Sequence, residues 1–418
     1  MEQAVVDAIR DGDVAAVRRY LHSLPHEDQW QDGGRALAGE VARSGGPGFA
    51  QLLYGYGEAL PSGPWGEIDP LVWAADHGAS DLVKHLLQRH PAPEATLRRA
   101  LDAAQAWLDV DPEAELRRRA GLADGDAFTV ARDHITIDEH EARARRIRLS
   151  AANDRWAEVL TEHRAVVTIL EQHLDLPVSR DELMARALWS ADPESCAWSE
   201  SRRAIRVRFP AEGTFRWAAA RLADEDTVVR RFTAELLHLS TFDAPYAADA
   251  RAVLQARMAA ETDTETLCSV LGAYAGFSEL HATLLHELLP FAADDRPQVR
   301  RRVALDLFDN AGADDRTGPI LETMLRLARD PDSTVRATAT AVLVHSTVDT
   351  PALRELLAAR LDGDDREARI HAATGLALRG DAHALARLRR MSDEDGYDSL
   401  AWRQFDHVER VLARRPGT

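Results

Sequence analysis

Asp330-Pro331-Asp332-Ser333-Thr334-Val335-Arg336 is one copy of a pattern that returns along the chain: Asp, four residues, Val-Arg. Two more copies stand at Asp224…Val229-Arg230 and Asp294…Val299-Arg300. A weaker one ends in Ala368-Arg369, with Gly363 in the Asp place. Four residues after the Val come Thr233, Val303 and Ala339; eight after it come Leu237, Leu307 and Leu343. That spacing draws a mainly apolar stripe down one helix face. The pairs Asp192-Pro193 and Asp330-Pro331 belong at turns or helix starts, where the N–H that proline lacks is not needed.

Weaker copies join the strong ones. Asp192-Pro193-Glu194 leads to Ala197-Trp198, and Asp263 leads to Cys268-Ser269. With Trp198 and Ser269 standing in for arginine, the series through Arg230, Arg300, Arg336 and Arg369 has steps of 32, 39, 31, 36 and 33 residues. Each step has room for one helix pair. Residues 190–381 resemble the HEAT-repeat family on these motifs. The resemblance implies a ladder in which each Asp accepts near a helix start and each Arg reaches a neighbouring repeat. Tyr397 to Leu412, with Leu400, Phe405, Val408 and Leu412 at helical spacing, suits a terminal cap over the last repeat.

The beginning of the chain has another period. Gly12, Gly45 and Gly78 are 33 residues apart, each preceded by Ala8-Ile9, Val41-Ala42 or Ala74-Ala75 and followed five residues later by Val17, Ala50 or Val83. This reads as helix, tight turn at a permissive glycine, and second helix. Residues 1–90 resemble ankyrin repeats, most closely in Asp69-Pro70-Leu71-Val72-Trp73-Ala74-Ala75. Val72 stands where that family has histidine. One more step reaches Asp111, with Trp107-Leu108 in the Ala74-Ala75 places and Leu116 in the Val83 place, so 95–120 reads as a degenerate fourth pair.

Between Gly121 and His163 the period falls to two: Phe128 and Val130, Ile135 and Ile137, Ile147 and Leu149. Such alternation predicts a small antiparallel meander with a hairpin turn at Asn153-Asp154. The densest basic cluster, Arg143, Arg145, Arg146 and Arg148, follows the acids Asp138, Glu139 and Glu141. It reads as an anion or partner site, or as a wet strand face that discourages edge pairing. The second is the expectation, since charge runs are usually solvated.

Composition narrows the function. The net charge of −18 argues against a polyanion binder, and Lys84 is the one lysine in the chain. Two cysteines, Cys196 and Cys268, make no disulfide framework or metal pair and suit a reducing cytoplasm. Met1-Glu2-Gln3 lacks an apolar signal core, and no apolar run is long enough to span a bilayer. His281 and His286 are five apart, and His286-Glu287 is not followed by the second histidine of a zinc-protease motif. Neither a Gly-x-Ser-x-Gly elbow nor a phosphate loop is present. Some HEAT-like proteins are DNA glycosylases with aromatic and carboxylate groups on the concave face. Trp107 and Asp111 are four apart, but the repeat assigns Trp107 to the core, and Pro112 marks Asp111 as outside the helix.

The sequence therefore predicts an all-α, two-part α-solenoid with a small antiparallel β element. Ankyrin-like repeats occupy 1–120, a strand-bearing segment and linking helix 121–176, and a HEAT-like solenoid with its cap 177–418. The expected function is a cytoplasmic scaffold or adaptor that binds a protein or peptide in a groove, with no catalytic residues, cofactor, metal, nucleic acid or membrane. An enzyme on a HEAT-like frame and an immunity-type inhibitor of a protein partner are the alternatives. Groove positions lie two and six residues after each Val: Arg231 and Glu235, then Arg301 and Leu305, then Ala337 and Ala341, then Ile370 and Thr374. Arg231, Glu235 and Arg301 are the candidate partner-binding residues. Duplex DNA is expected not to bind tightly, and a submicromolar affinity by fluorescence anisotropy at physiological salt would refute this.

Overall fold

A computed structural model describes residues 3–23, 46, 48–49, 69–89, 91–136, 143–152, 155–239, 246–276, 282–309, 318–397 and 399–414. The described chain is mostly helical, with one small antiparallel sheet, and forms two compact units, Met1–Phe209 and Pro210–Thr418. The boundary expected at 176 falls at 209 instead. The helices after 176, up to Arg208, pack on the preceding helix of the first unit.

In the first unit the helices are α1 (Gln3–Asp11), α2 (Val14–Ser23), α3 (Pro70–Asp76), α4 (Ser80–Arg89), α5 (Glu94–Gln105) and α6 (Pro112–Arg119). The strands β1 (Phe128–Thr136), β2 (Arg143–Ala151) and β3 (Trp156–Leu160) follow, then α7 (His163–His173), α8 (Arg180–Leu188) and α9 (Cys196–Arg208). The α1–α2 and α3–α4 turns repeat one hydrogen-bond scheme. Gly12 N–H donates to Ile9 and Asp13 N–H to Ala8, just as Gly78 donates to Ala75 and Ala79 to Ala74. Gly12 and Gly78 have φ of +77° and +65°, which glycine adopts freely. Gly45, Asn153 and Asp154 lie outside the described residues. The fourth pair departs from the expected register: α5 ends at Gln105, so Trp107 and Leu108 lie in the turn and Asp111 caps α6.

The sheet is a meander of order β1-β2-β3. Its basic strand corrects the solvated-face expectation. Arg145 is exposed, but Arg146 and Arg148 are buried around the fully buried Glu158 carboxylate, at 3.5 and 3.1 Å. A buried ion group of this kind needs further partners to offset desolvation. Arg146 finds them in the Asp133 carboxylate and the Gly12 carbonyl, and Arg148 lies over the Trp156 ring. The α3–α4 turn and the backbone at Gly46 approach this sheet closely. A Cβ added at Gly78 would lie 1.9 Å from the Leu160 carbonyl oxygen, and one at Gly46 would lie 2.3 Å from a Glu158 oxygen.

The second unit stacks six helix pairs among the described residues. They are α10 (Ala211–Arg221) with α11 (Thr227–Leu239), α12 (Ala247–Ala260) with α13 (Thr264–Ala275), and a 3₁₀ segment (Ala282–Ala293) with α14 (Pro297–Asp309). Next come α15 (Gly318–Leu327) with α16 (Ser333–His345), α17 (Pro351–Leu361) with α18 (Arg366–Leu378), and α19 (Ala382–Asp395) with α20 (Leu400–Ala413). The second helices form one layer, each packed on the next from α11 to α20. The expected stripe is the core: Val229, Thr233, Leu237 and their counterparts in α14 and α16 are all buried. In α20, Val408 is fully buried, while Leu400, Phe405 and Leu412 are only partly covered, as befits a last helix.

The recurring arginine has one geometry throughout. Arg230, Arg300, Arg336 and Arg369 each donate from Nη1 to the carbonyls six and five residues back, at 2.7–3.1 Å. Where the next unit offers an acid, the other nitrogens reach it. Arg230 makes a paired contact with Glu261 at 2.9 Å and Arg300 one with Asp330 at 2.8 Å. The acids in turn accept loop N–H groups: Asp330 takes that of Asp332, and Glu261 those of Thr262 and Asp263. Burial works against the Glu261 carboxylate, but Arg230 and the Asp263 N–H outweigh it and hold the pKa at about 2. Counted from its helix start, α13 carries Leu267 where the other units have this arginine, so the Cys268-Ser269 alignment was two residues late. Arg296 fills the gap by gripping Asp294 at 2.8 Å and the Thr262 carbonyl at 3.1 Å.

Arg300→Ala removes both the loop clamp and the partner of Asp330. Urea denaturation is expected to show a loss of roughly 1–3 kcal/mol, the cost of leaving a buried polar group unpaired. Arg366→Ala at an exposed ion pair should leave the unfolding midpoint almost unchanged. Equal unfolding midpoints for the two variants would mean that the ladder does not hold the units.

Candidate binding cleft

The residues expected to line a groove in the second unit are engaged between helices. Arg231 of α11 lies 3.5 Å from Glu235 on its own helix and 3.5 Å from Glu265 of α13. Glu235 accepts from Ser269 at 3.0 Å, and Arg301 donates to Thr338 of α16 at 3.2 Å. These residues tie α11 to α13 and α14 to α16. The apolar end of the expected groove is closed, because Ile370 and Thr374 are buried where α16, α17, α19 and α20 all pack on α18.

The first unit holds an open cleft of about 440 Å³, continued by a lobe of about 210 Å³. His134, Arg145, Thr161, Arg164 and Trp189 border both parts. Cross-strand pairing sets His134 of β1 opposite Arg145 of β2, and the Thr161 N–H donates to the Arg145 carbonyl at 2.9 Å. Arg164 is the second residue of α7, and Trp189 directly follows α8. The α5–α6 connection adds Leu108 and Val110. Trp189 and Val110 are 61% and 42% exposed, and apolar side chains exposed side by side in one cleft, unlike scattered ones, mark a binding surface.

Trp107 forms the inner wall. Its Nε1–H donates to Asp76 at 3.0 Å, and its ring lies between the Arg119 guanidinium at 4.6 Å and the stacked His163 ring at 4.9 Å. Asp76 is gripped twice by Arg119, at 2.6 and 2.7 Å. Burial lowers the His163 pKa to about 4, so the ring is neutral and its Nε2–H donates to the Asp76 carbonyl at 3.1 Å. Trp107 and Asp111 thus have separate structural tasks. Trp107 is pinned in the wall, and Asp111 accepts the Glu113 and Ala114 N–H groups at 3.3 Å.

Below the smaller lobe lies a polar cluster. The buried Glu162 carboxyl accepts from Ser80 Oγ at 2.6 Å and from the Cys196 thiol. Burial is the largest influence and lifts its pKa to about 7, with help from the Asp81 charge, against the pull of Cys196, Ser80 and Lys84. Burial and the same carboxyl push the Cys196 thiol far up, so it stays protonated and is no nucleophile. The lone lysine, Lys84, bridges Asp81 at 2.6 Å and Glu200 at 3.2 Å. Burial alone would lower its pKa, but the carboxylates reverse this. Among the described residues no helix is long and apolar enough to cross a membrane.

Neither a protein-family model nor a curated protein matches the chain. Among solved structures, the X-ray structure of the Escherichia coli protein YibA is similar at 18% identity, over 56% of this chain and 85% of that one, with a TM-score of 0.43.

The Glu162 shift has a stability consequence. A carboxyl raised from 4.5 to about 7 gives stability that is complete below pH 4.5 and lost as pH rises through about 7. His163, lowered from 6.5 to about 4, acts with the opposite sign, as do His77, His345 and His371, so the wild-type profile alone does not isolate the carboxyl. The difference Glu162→Gln minus wild type isolates the carboxyl. It should grow between pH 5 and pH 8 by on the order of 3 kcal/mol in favour of the glutamine variant. Melting temperatures across that range measure it, and a constant difference would mean that Glu162 titrates normally.

Proposed function

We propose that the chain is a cytoplasmic protein- or peptide-binding scaffold in which ankyrin-like helix pairs precede HEAT-like ones, and that the partner seats in the cleft of the first unit. The observation that carries this reading is the convergence of exposed Trp189 and Val110 on one cavity wall beside Arg164. Aromatic and arginine side chains beside partly uncovered apolar surface are the groups that anchor protein partners. The acids and arginines of the repeats are satisfied by one another and by loop carbonyls, which supports a structural role for them. An immunity-type inhibitor would use the same surface and differ only in its partner.

A catalytic reading draws on Glu162, a carboxyl with a pKa near neutrality at the edge of the smaller lobe. Against it, Ser80 and Cys196 already occupy that carboxyl, and the thiol beside it is protonated.

Selection from a displayed random-peptide library separates the readings. Peptide families should enrich on the wild type and fail to enrich on a Trp189→Ser, Val110→Ser variant with an unchanged melting temperature. Equal enrichment on both would place the partner elsewhere, and no enrichment on either would remove the scaffold reading.

A further inference from the structure

Four arginines line the larger lobe, and three are tied to carboxylates. Arg132 bridges Glu113 at 2.7 Å, Arg145 bridges Asp192 at 2.7 Å, and Arg146 bridges Asp133 at 2.6 Å. Arg164 differs. Among the described residues no carboxylate lies in ion-pair contact with it. Its guanidinium stands 4.6 Å from the Trp189 ring and makes one long donation, 3.4 Å, to the Leu108 carbonyl. A guanidinium has five N–H donors in a planar fork. Most of those on Arg164 are unused, in a half-buried position bordered by Leu108, Val110, Pro112 and Trp189. Burial lowers its pKa, the Asp109 charge works against this without ion-pair contact, and Arg186 adds to the lowering.

The smaller lobe shares Arg145 and Arg164 with the larger one and adds acids. Asp192 and Glu194 line the smaller lobe, with the Glu162 carboxyl below them. Arg145 is spent on Asp192, so an anion is drawn to Arg164, and N–H donors are welcome beside Glu194. The apolar wall requires that the anion be attached to an apolar group. A cavity of about 440 Å³ lies within the range of small-ligand pockets and holds one large side chain with its terminal carboxylate.

We propose that the cleft takes an apolar carboxylate, supplied by the C-terminus of a peptide with an apolar last residue: the carboxylate on the Arg164 fork, the last side chain against Trp189 and Val110, and the preceding backbone over the smaller lobe. This rests on the reading of the cleft as a peptide-binding site. Two parallel N–H···O bonds fit a carboxylate and not an amide, so the end group is what Arg164 reads.

The test is fluorescence anisotropy with a pool of fluorescein-labelled hexapeptides ending in phenylalanine, leucine or tryptophan. The pool is made as free acids and as C-terminal amides, with N-acetyl-phenylalanine as a competitor. The acids should bind the wild type at least tenfold more tightly than the amides. Arg164→Gln should bring the acids down to the amide level, while Trp189→Ala should weaken both. Equal binding of acids and amides to the wild type, or an acid preference that survives in Arg164→Gln, overturns the carboxylate assignment and leaves the scaffold reading standing. Displacement by N-acetyl-phenylalanine as effective as by the unlabelled peptides supports the carboxylate and overturns its peptide source. Binding of neither pool at millimolar protein overturns both readings.

Discussion

One guanidinium contact organises the second unit. The loop before each second helix leaves carbonyls that no helix hydrogen bond satisfies. Arg230, Arg300, Arg336 and Arg369 reach back over one helical turn and cover two of them each. The same side chain can then bridge to the acid that begins the next loop. A single residue thus fixes a turn within a unit and the distance between units. The contact is specified tightly enough that its absence is compensated. Where Leu267 replaces the arginine, Arg296 holds both Asp294 and the Thr262 carbonyl from the other side of the gap. Mixed contacts of this sort suit arginine and not lysine, whose compact ammonium has no fork to divide between a carbonyl pair and a carboxylate.

The first unit solves the same problem by close approach. Its turns carry glycine, and the sheet lies against them so tightly that a side chain at Gly78 would meet the Leu160 carbonyl. The buried Arg146–Glu158–Arg148 group is the polar counterpart of that approach, with Arg146 reaching the Gly12 carbonyl at 2.7 Å. The sheet is therefore a brace along the turn edge of the helix pairs.

Most of the helix architecture was legible because it is periodic. The stripe from Val229 to Leu237, the turns at Gly12 and Gly78, and the alternation of Ile147 and Leu149 each reflect one repeating geometric need. Burial of charge left no such mark. Arg146 and Arg148 look like any basic strand face until Glu158, ten residues beyond Arg148, folds between them. The burial of Ile370 and Thr374 was hidden for a related reason. Counting about 100° per residue gives a direction on one helix, but not how many neighbours that helix has, and α18 is covered on several sides. The cleft was not legible at all. Its walls come from the α5–α6 connection, two strands, the start of α7 and the end of α8, which share no period.

Periodicity also limits where function can reside in such a chain. A residue that recurs in every unit answers a need common to every unit, which is holding the stack together. It is occupied for that purpose, as the satisfied arginines and acids of the second unit illustrate. Groups free to meet a partner must lie where the repeat is interrupted. Here the interruption is the strand segment and its flanking turns. The same interruption leaves Trp189 and Val110 exposed and, among the described residues, Arg164 without an ion-paired carboxylate. The strands, the α5–α6 connection and the start of α7 share no repeating unit, and the cleft among them is lined by the irregular residues that the repeats did not need.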